Sequence, residues 1–143
     1  MQDAKPTTIT PLSTLVAWVT GQTILLVEDD QHVRAVVKRM LDAAGYRVLP
    51  AGDGEAALAL ARDYPERIDL LLSDLIMPGL GGRETAERLR ELHPETAILF
   101  MSGYTDDAVL RRGVLTGGAA FLEKPFGSDA LNRRVRDVLE QVS

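Results

Sequence analysis

A chain of 143 residues is the length of one ordinary domain, and its 45% hydrophobic and 26% charged content is that of a globular protein. The net charge of −5 argues against direct nucleic-acid binding, because neutralising phosphates needs a basic surface. The absence of cysteine excludes disulfides, thiolate metal sites and thiol nucleophiles and agrees with a cytoplasmic location; no run reaches the roughly 18 apolar residues of a membrane span, and the first residues lack the basic start and apolar core expected of a signal peptide.

Residues 1–22 are rich in Thr and Pro and are expected to be an N-terminal linker or extension, with one domain over 23–143. A competing reading has Thr10 capping a short helix with Pro11 in its first turn, which would put Leu12, Leu15, Val16 and Val19 on one partner-contacting face. From Thr23 the chain alternates. Strand-length apolar runs fall at 24–28, 46–49, 69–73, 97–101 and 119–122. After the first comes a helical stripe of Val33, Val36, Val37, Met40 and Leu41, ended by Gly45 as a left-handed cap. Weaker helical patterns occupy 54–63, 83–92 and 106–116, the last closed by Gly117 and Gly118. Leu131, Val135, Val138, Leu139 and Val142 form the stripe of a final helix. Strand then helix, five times over, predicts an α/β fold with a parallel sheet covered on both faces.

Parallel strands all finish at one edge, where open α/β sheets bind ligands. At the ends of four of these runs stand Glu28-Asp29-Asp30, Ser73-Asp74, Ser102-Gly103 and Glu123-Lys124-Pro125. Each is ordinary alone: Asp30 suits a helix N-cap, Asp74 a solvated strand end, Lys124 a surface lysine and Ser102 a turn. Placed together, Asp29, Asp30 and Asp74 offer the oxygen ligands that Mg²⁺ prefers, and a metal-neutralised carboxylate can act as a nucleophile towards phosphorus. Lys124 and Ser102 would then face the phosphoryl oxygens. His32 and His93 have no companion at metal-ligand spacing and read as surface residues.

The stretches "VEDD", "DLIMPGLGG", "MSGY" and "FLEKP" occur in an order and spacing that resemble the receiver domain of bacterial two-component response regulators, over about five-sixths of the chain from Thr23 to Val142. The resemblance implies a flavodoxin-like (βα)₅ three-layer sandwich with strand order 2-1-3-4-5. It implies Asp74 as phospho-acceptor, served by a phosphohistidine on a histidine kinase or histidine phosphotransfer domain. It further implies Mg²⁺ on Asp29, Asp30, Asp74 and the Ile76 backbone carbonyl, Ser102 as switch hydroxyl, Lys124 as phosphoryl partner and Phe121 as switch aromatic. Tyr104 is an alternative aromatic on the same face. A cis Lys124–Pro125 bond is expected, since X–Pro linkages tolerate cis at low cost.

The run from Met101 to Phe126 is similar to receivers fused to hybrid sensor kinases. Only Ser143 follows the final helix, so no output domain is expected within this chain. Partners would bind the face formed by the fourth helix, fifth strand and fifth helix, where Arg111, Arg112, Arg133, Arg134 and Arg136 fall, and a dimer is one such outcome. The alternative function is a receiver-like docking domain that is never phosphorylated. An aspartate-nucleophile phosphatase is rejected because Leu75-Ile76 after Asp74 lacks the second acid of its D-x-D pattern. A flavin- or nucleotide-binding domain would need a glycine- or hydroxyl-rich loop where the acids stand.

Overall fold

The computed structural model describes residues 21–103 and 119–141. In chain order these form β1 (Thr23–Val27), α1 (Gln31–Ala43), β2 (Arg47–Ala51), α2 (Gly54–Asp63), β3 (Leu70–Asp74), α3 (Gly82–Leu92), β4 (Ala97–Ser102), β5 (Ala120–Glu123) and α4 (Ser128–Gln141). The five strands make one sheet in the order β2-β1-β3-β4-β5, and every neighbouring pair is parallel. This is the flavodoxin-like arrangement that the resemblance implied. The helix expected at 106–116, Tyr104, Arg111, Arg112, Val142 and the expected linker up to Thr20 lie outside the described residues.

Period-two alternation explains why the central strands are apolar throughout. Ile24 and Leu26 of β1 join Leu70, Leu72, Leu99 and Met101 in a core closed by Val37 and Leu41 of α1 and Leu131, Val135, Val138 and Leu139 of α4. Leu25 and Val27 join Leu71 and Phe100 on the opposite face, under Ala57, Leu58 and Ala61 of α2 and Ala86 and Leu89 of α3. Each β1 residue is therefore buried, whichever way it points.

Two local departures have physical causes. Val36, expected on the buried stripe of α1, is 45% exposed. At 100° per residue it lies about 120° around the helix from the midpoint of Val37 and Leu41, too far to reach the sheet. β2 extends to Ala51 and includes Pro50, which pairs with Leu26. An edge strand tolerates that proline because its outward side has no ladder to complete. Gly45 has φ 95, as a left-handed cap requires, and donates its N–H to Asp42 at 2.9 Å.

Candidate functional site

β1 and β3 run in register to Val27 opposite Ser73, so Glu28 and Asp74 emerge at the same level of the sheet edge. Glu28 is anchored on every side. Its N–H donates to Ala51 O at 3.2 Å, and its Oε2 accepts from the Asp30 N–H at 3.0 Å. Its side chain turns inward and is only 1% exposed. Asp74, the last residue of β3, is 7% exposed. α3 comes unusually close behind it: Gly82 N–H donates to Leu75 O at 3.0 Å, and a Cβ at Gly82 would collide with the Asp74 carbonyl oxygen. Glycine is the residue that permits this approach.

The cation arrives from the far strand. β5 is in register with β4 up to Ser102 opposite Glu123, and Lys124 N–H then donates to Ser102 O at 2.9 Å. The Lys124–Pro125 bond is cis, as expected. Lys124 Nζ reaches Asp74 Oδ1 at 2.7 Å and Glu28 Oε1 at 2.9 Å. Ser102 is buried at the end of β4. Ile76 stands at the rim with its side chain exposed, and the Phe121 ring packs 6.0 Å from that of Phe100.

Carboxylate oxygens of Glu28, Asp29 and Asp74 all lie within 4.8 Å of one another. Asp30, expected among the metal ligands, is not in this cluster. Its Oδ1 accepts from the His32 and Val33 N–H groups at 2.9 and 3.0 Å as the N-cap of α1, and those amides hold its carboxyl below the usual range. Glu28, absent from the metal set expected from sequence, stands in the cluster instead. Once the strand ends, alternation no longer assigns faces to Glu28, Asp29 and Asp30. The four unpaired N–H groups at the start of α1 compete for one of the three. The signal that could have separated them is the position of Asp30 immediately before the helix.

Burial and the nearby Glu28 carboxylate raise the Asp74 carboxyl to about 8, against the lowering pull of Lys124. For Glu28 burial also acts upward, but its bonds with Asp74, Lys124 and the Asp30 amide outweigh it and hold the group low. Lys124 is raised, because the two acids outweigh its own desolvation. The metal-free pocket is therefore short of positive charge. Three oxygen donors of this kind fit a hard divalent cation such as Mg²⁺, whose charge would offset the repulsion between Glu28 and Asp74.

Among the described residues no helix is long and apolar enough to cross a membrane. Residues 24–136 match the family model of the response regulator receiver domain. The chain is 36% identical over 119 residues to the sensor kinase CckA of Brucella abortus, covering 83% of this chain and 13% of that protein. It is 40% identical over 119 residues to the transcriptional regulatory protein CpxR of Klebsiella pneumoniae, covering 82% and 49%. It therefore spans half or less of these relatives. Among solved structures, the receiver domain of the hybrid histidine kinase CckA matches at 39% identity with a TM-score of 0.68, covering 82% of this chain and 98% of that one. The chemotaxis protein CheY4 of Vibrio cholerae matches at 32% with a TM-score of 0.71 and the same coverage. By the extent of these matches, and by a strand order that brings Glu28, Asp74 and Lys124 to one edge, the chain belongs to the response regulator receiver domain family.

Proposed function

We propose that this receiver carries a signal as an acyl phosphate on Asp74, taken from a phosphohistidine of a histidine kinase or phosphotransfer domain. The observation that carries the reading is the pair of contacts from Lys124 Nζ, 2.7 Å to Asp74 and 2.9 Å to Glu28. A carboxylate largely withdrawn from water, beside a fixed cation and at the open edge of a sheet, is arranged for attack on an anionic electrophile.

An Asp74 oxygen attacks phosphorus, the phosphorus–nitrogen bond to the donor imidazole breaks, and the ring nitrogen keeps the electron pair. The Lys124 ammonium then stands beside the transferred phosphoryl oxygens, and Ser102 brings a hydroxyl to the same edge from the end of β4. Glu28, Asp29 and Asp74 would hold Mg²⁺, with the Ile76 carbonyl as a further ligand; the ion supplies charge compensation for the phosphoryl group. Ser102 and Phe121 lie on β4 and β5, and α4 reaches β5 through Arg134, whose Nε donates to the Phe121 carbonyl at 3.0 Å; a change would pass to a partner from this end of the sheet. Lacking a hydroxyl, Phe121 would choose between positions by packing alone.

Incubation with a small phosphodonor and Mg²⁺ tests this. One acid-stable, base-labile phosphoryl group should appear on the wild-type chain and none on Asp74→Asn, whose amide is not a nucleophile. Undiminished labelling of that variant overturns the assignment.

A further inference from the structure

Arg34 lies one turn into α1, yet its side chain runs back to the sheet. Nη1 donates to the backbone carbonyl of Glu28 at 2.7 Å. That carbonyl belongs to the peptide joining Glu28 to Asp29, two of the three acids in the cluster. The pairing of β1 with β3 has ended at Val27 and the last bond to β2 is from the Glu28 N–H to Ala51 O, so the Glu28 carbonyl, one step further on, takes its bond from a side chain. The room for it comes from the turn after β2: a Cβ at Gly52 would stand 3.3 Å from Arg34 Nη1 and 3.8 Å from Cζ. The guanidinium is used on a carbonyl, and what it achieves there is a fixed peptide plane.

We propose that Arg34 is a positioning residue for the cation pocket: by holding the Glu28–Asp29 peptide against the Gly52 turn, it sets the angle between two carboxylates that Mg²⁺ must share. This rests on Glu28, Asp29 and Asp74 forming the Mg²⁺ site of the proposed function. Rotation of that peptide would swing Asp29 away from Glu28 and Asp74 and open the oxygen cluster. Outer partners that orient metal ligands typically matter by about 10- to 100-fold in affinity. Simple Coulomb repulsion predicts the opposite sign, because removing a positive charge near a cation site should tighten binding.

The test is calorimetric titration of the full chain with Mg²⁺ alone, for wild type, Arg34→Met, Arg34→Lys and Gly52→Ala. Arg34→Met should bind Mg²⁺ about tenfold more weakly, Arg34→Lys should recover part of the loss, and Gly52→Ala should weaken binding less than Arg34→Met. At saturating Mg²⁺ the rate of labelling by a small phosphodonor should return to near the wild-type value, which a generally damaged fold would not allow. Unchanged or tighter binding by Arg34→Met overturns the proposal while leaving the Mg²⁺ site intact. If Arg34→Met fails to fold, the sign of the Gly52→Ala effect decides in the same way. A wild-type chain that binds no Mg²⁺ overturns the Mg²⁺ site and this proposal with it.

Discussion

Lys124 Nζ sits 2.7 Å from Asp74 Oδ1, although 50 positions separate the two residues in the chain. The ammonium occupies charge space that a divalent cation would share, so the two compete for the same carboxylates. Lys124→Met should therefore bind Mg²⁺ more tightly, by about tenfold once the roughly 4 kcal/mol of a close pair at an effective dielectric of 20 is discounted for solvent screening. The same variant should label more slowly at saturating Mg²⁺, because the phosphoryl oxygens lose their ammonium. Calorimetry and labelling kinetics read the two effects separately, and weaker Mg²⁺ binding would contradict the competition.

The Asp74 carboxyl makes a pH-dependent contribution to stability. Its folded value, about 8, lies above the ordinary value of 3.8, so between those limits the folded chain binds more protons than the unfolded one. The stability that this proton confers is fully present below about pH 4 and is lost as pH rises through the window towards 8. Glu28 shifts the other way: burial acts upward, but its bonds with Asp74, Lys124 and the Asp30 amide hold it below its ordinary value. In chelator-containing buffer at pH 8, Asp74→Asn should melt higher than wild type by about 4 °C, with the gap closing towards pH 4. Thermal unfolding across that range checks it, and a gap that widens on acidification would show the sign to be wrong.

Glu28 and Asp30 should separate cleanly on substitution. Asp30→Ala removes the α1 cap and should lower the melting temperature by about 3 °C while leaving Mg²⁺ affinity near wild type. Glu28→Gln should do the reverse, cutting Mg²⁺ affinity by about 10-fold or more with little loss of stability, because its amide ends the charge repulsion with Asp74. Loss of Mg²⁺ binding in Asp30→Ala would restore that residue to the metal set.

Persistence of the phosphoryl group should depend on Ile76. Hydrolysis needs a water in line with the acyl phosphate, and the exposed Ile76 side chain at the rim cannot hydrogen-bond one. Ile76→Asn should speed decay of the labelled protein by about tenfold, as positioning a general base or water typically gives at least that much. The decay rate after removal of the donor is the measurement.

Much of this molecule is written in local pattern. Alternation of apolar runs and helical stripes is a property of neighbouring residues, so β1, β3 and β4 fall within a residue of the runs that predict them. Gly45 could be read as a cap because glycine takes positive φ at little cost. The rule that parallel strands end together was enough to collect Asp74, Ser102 and Lys124 at one edge. Other features exist only once distant segments meet. Strand order is a matter of which elements neighbour each other, and periodicity carries no record of that. Val36 and Val37 are adjacent apolar residues of the same type, yet only the direction of the sheet decides that one is buried and the other exposed. Which of these acids caps α1 and which meets a lysine 96 positions beyond Glu28 is visible only in the fold: Asp30 accepts from the helix amides and Glu28 from Lys124. The upward shift of the Asp74 carboxyl belongs to the same class, because burial and a neighbouring carboxylate are conditions that only the folded chain creates.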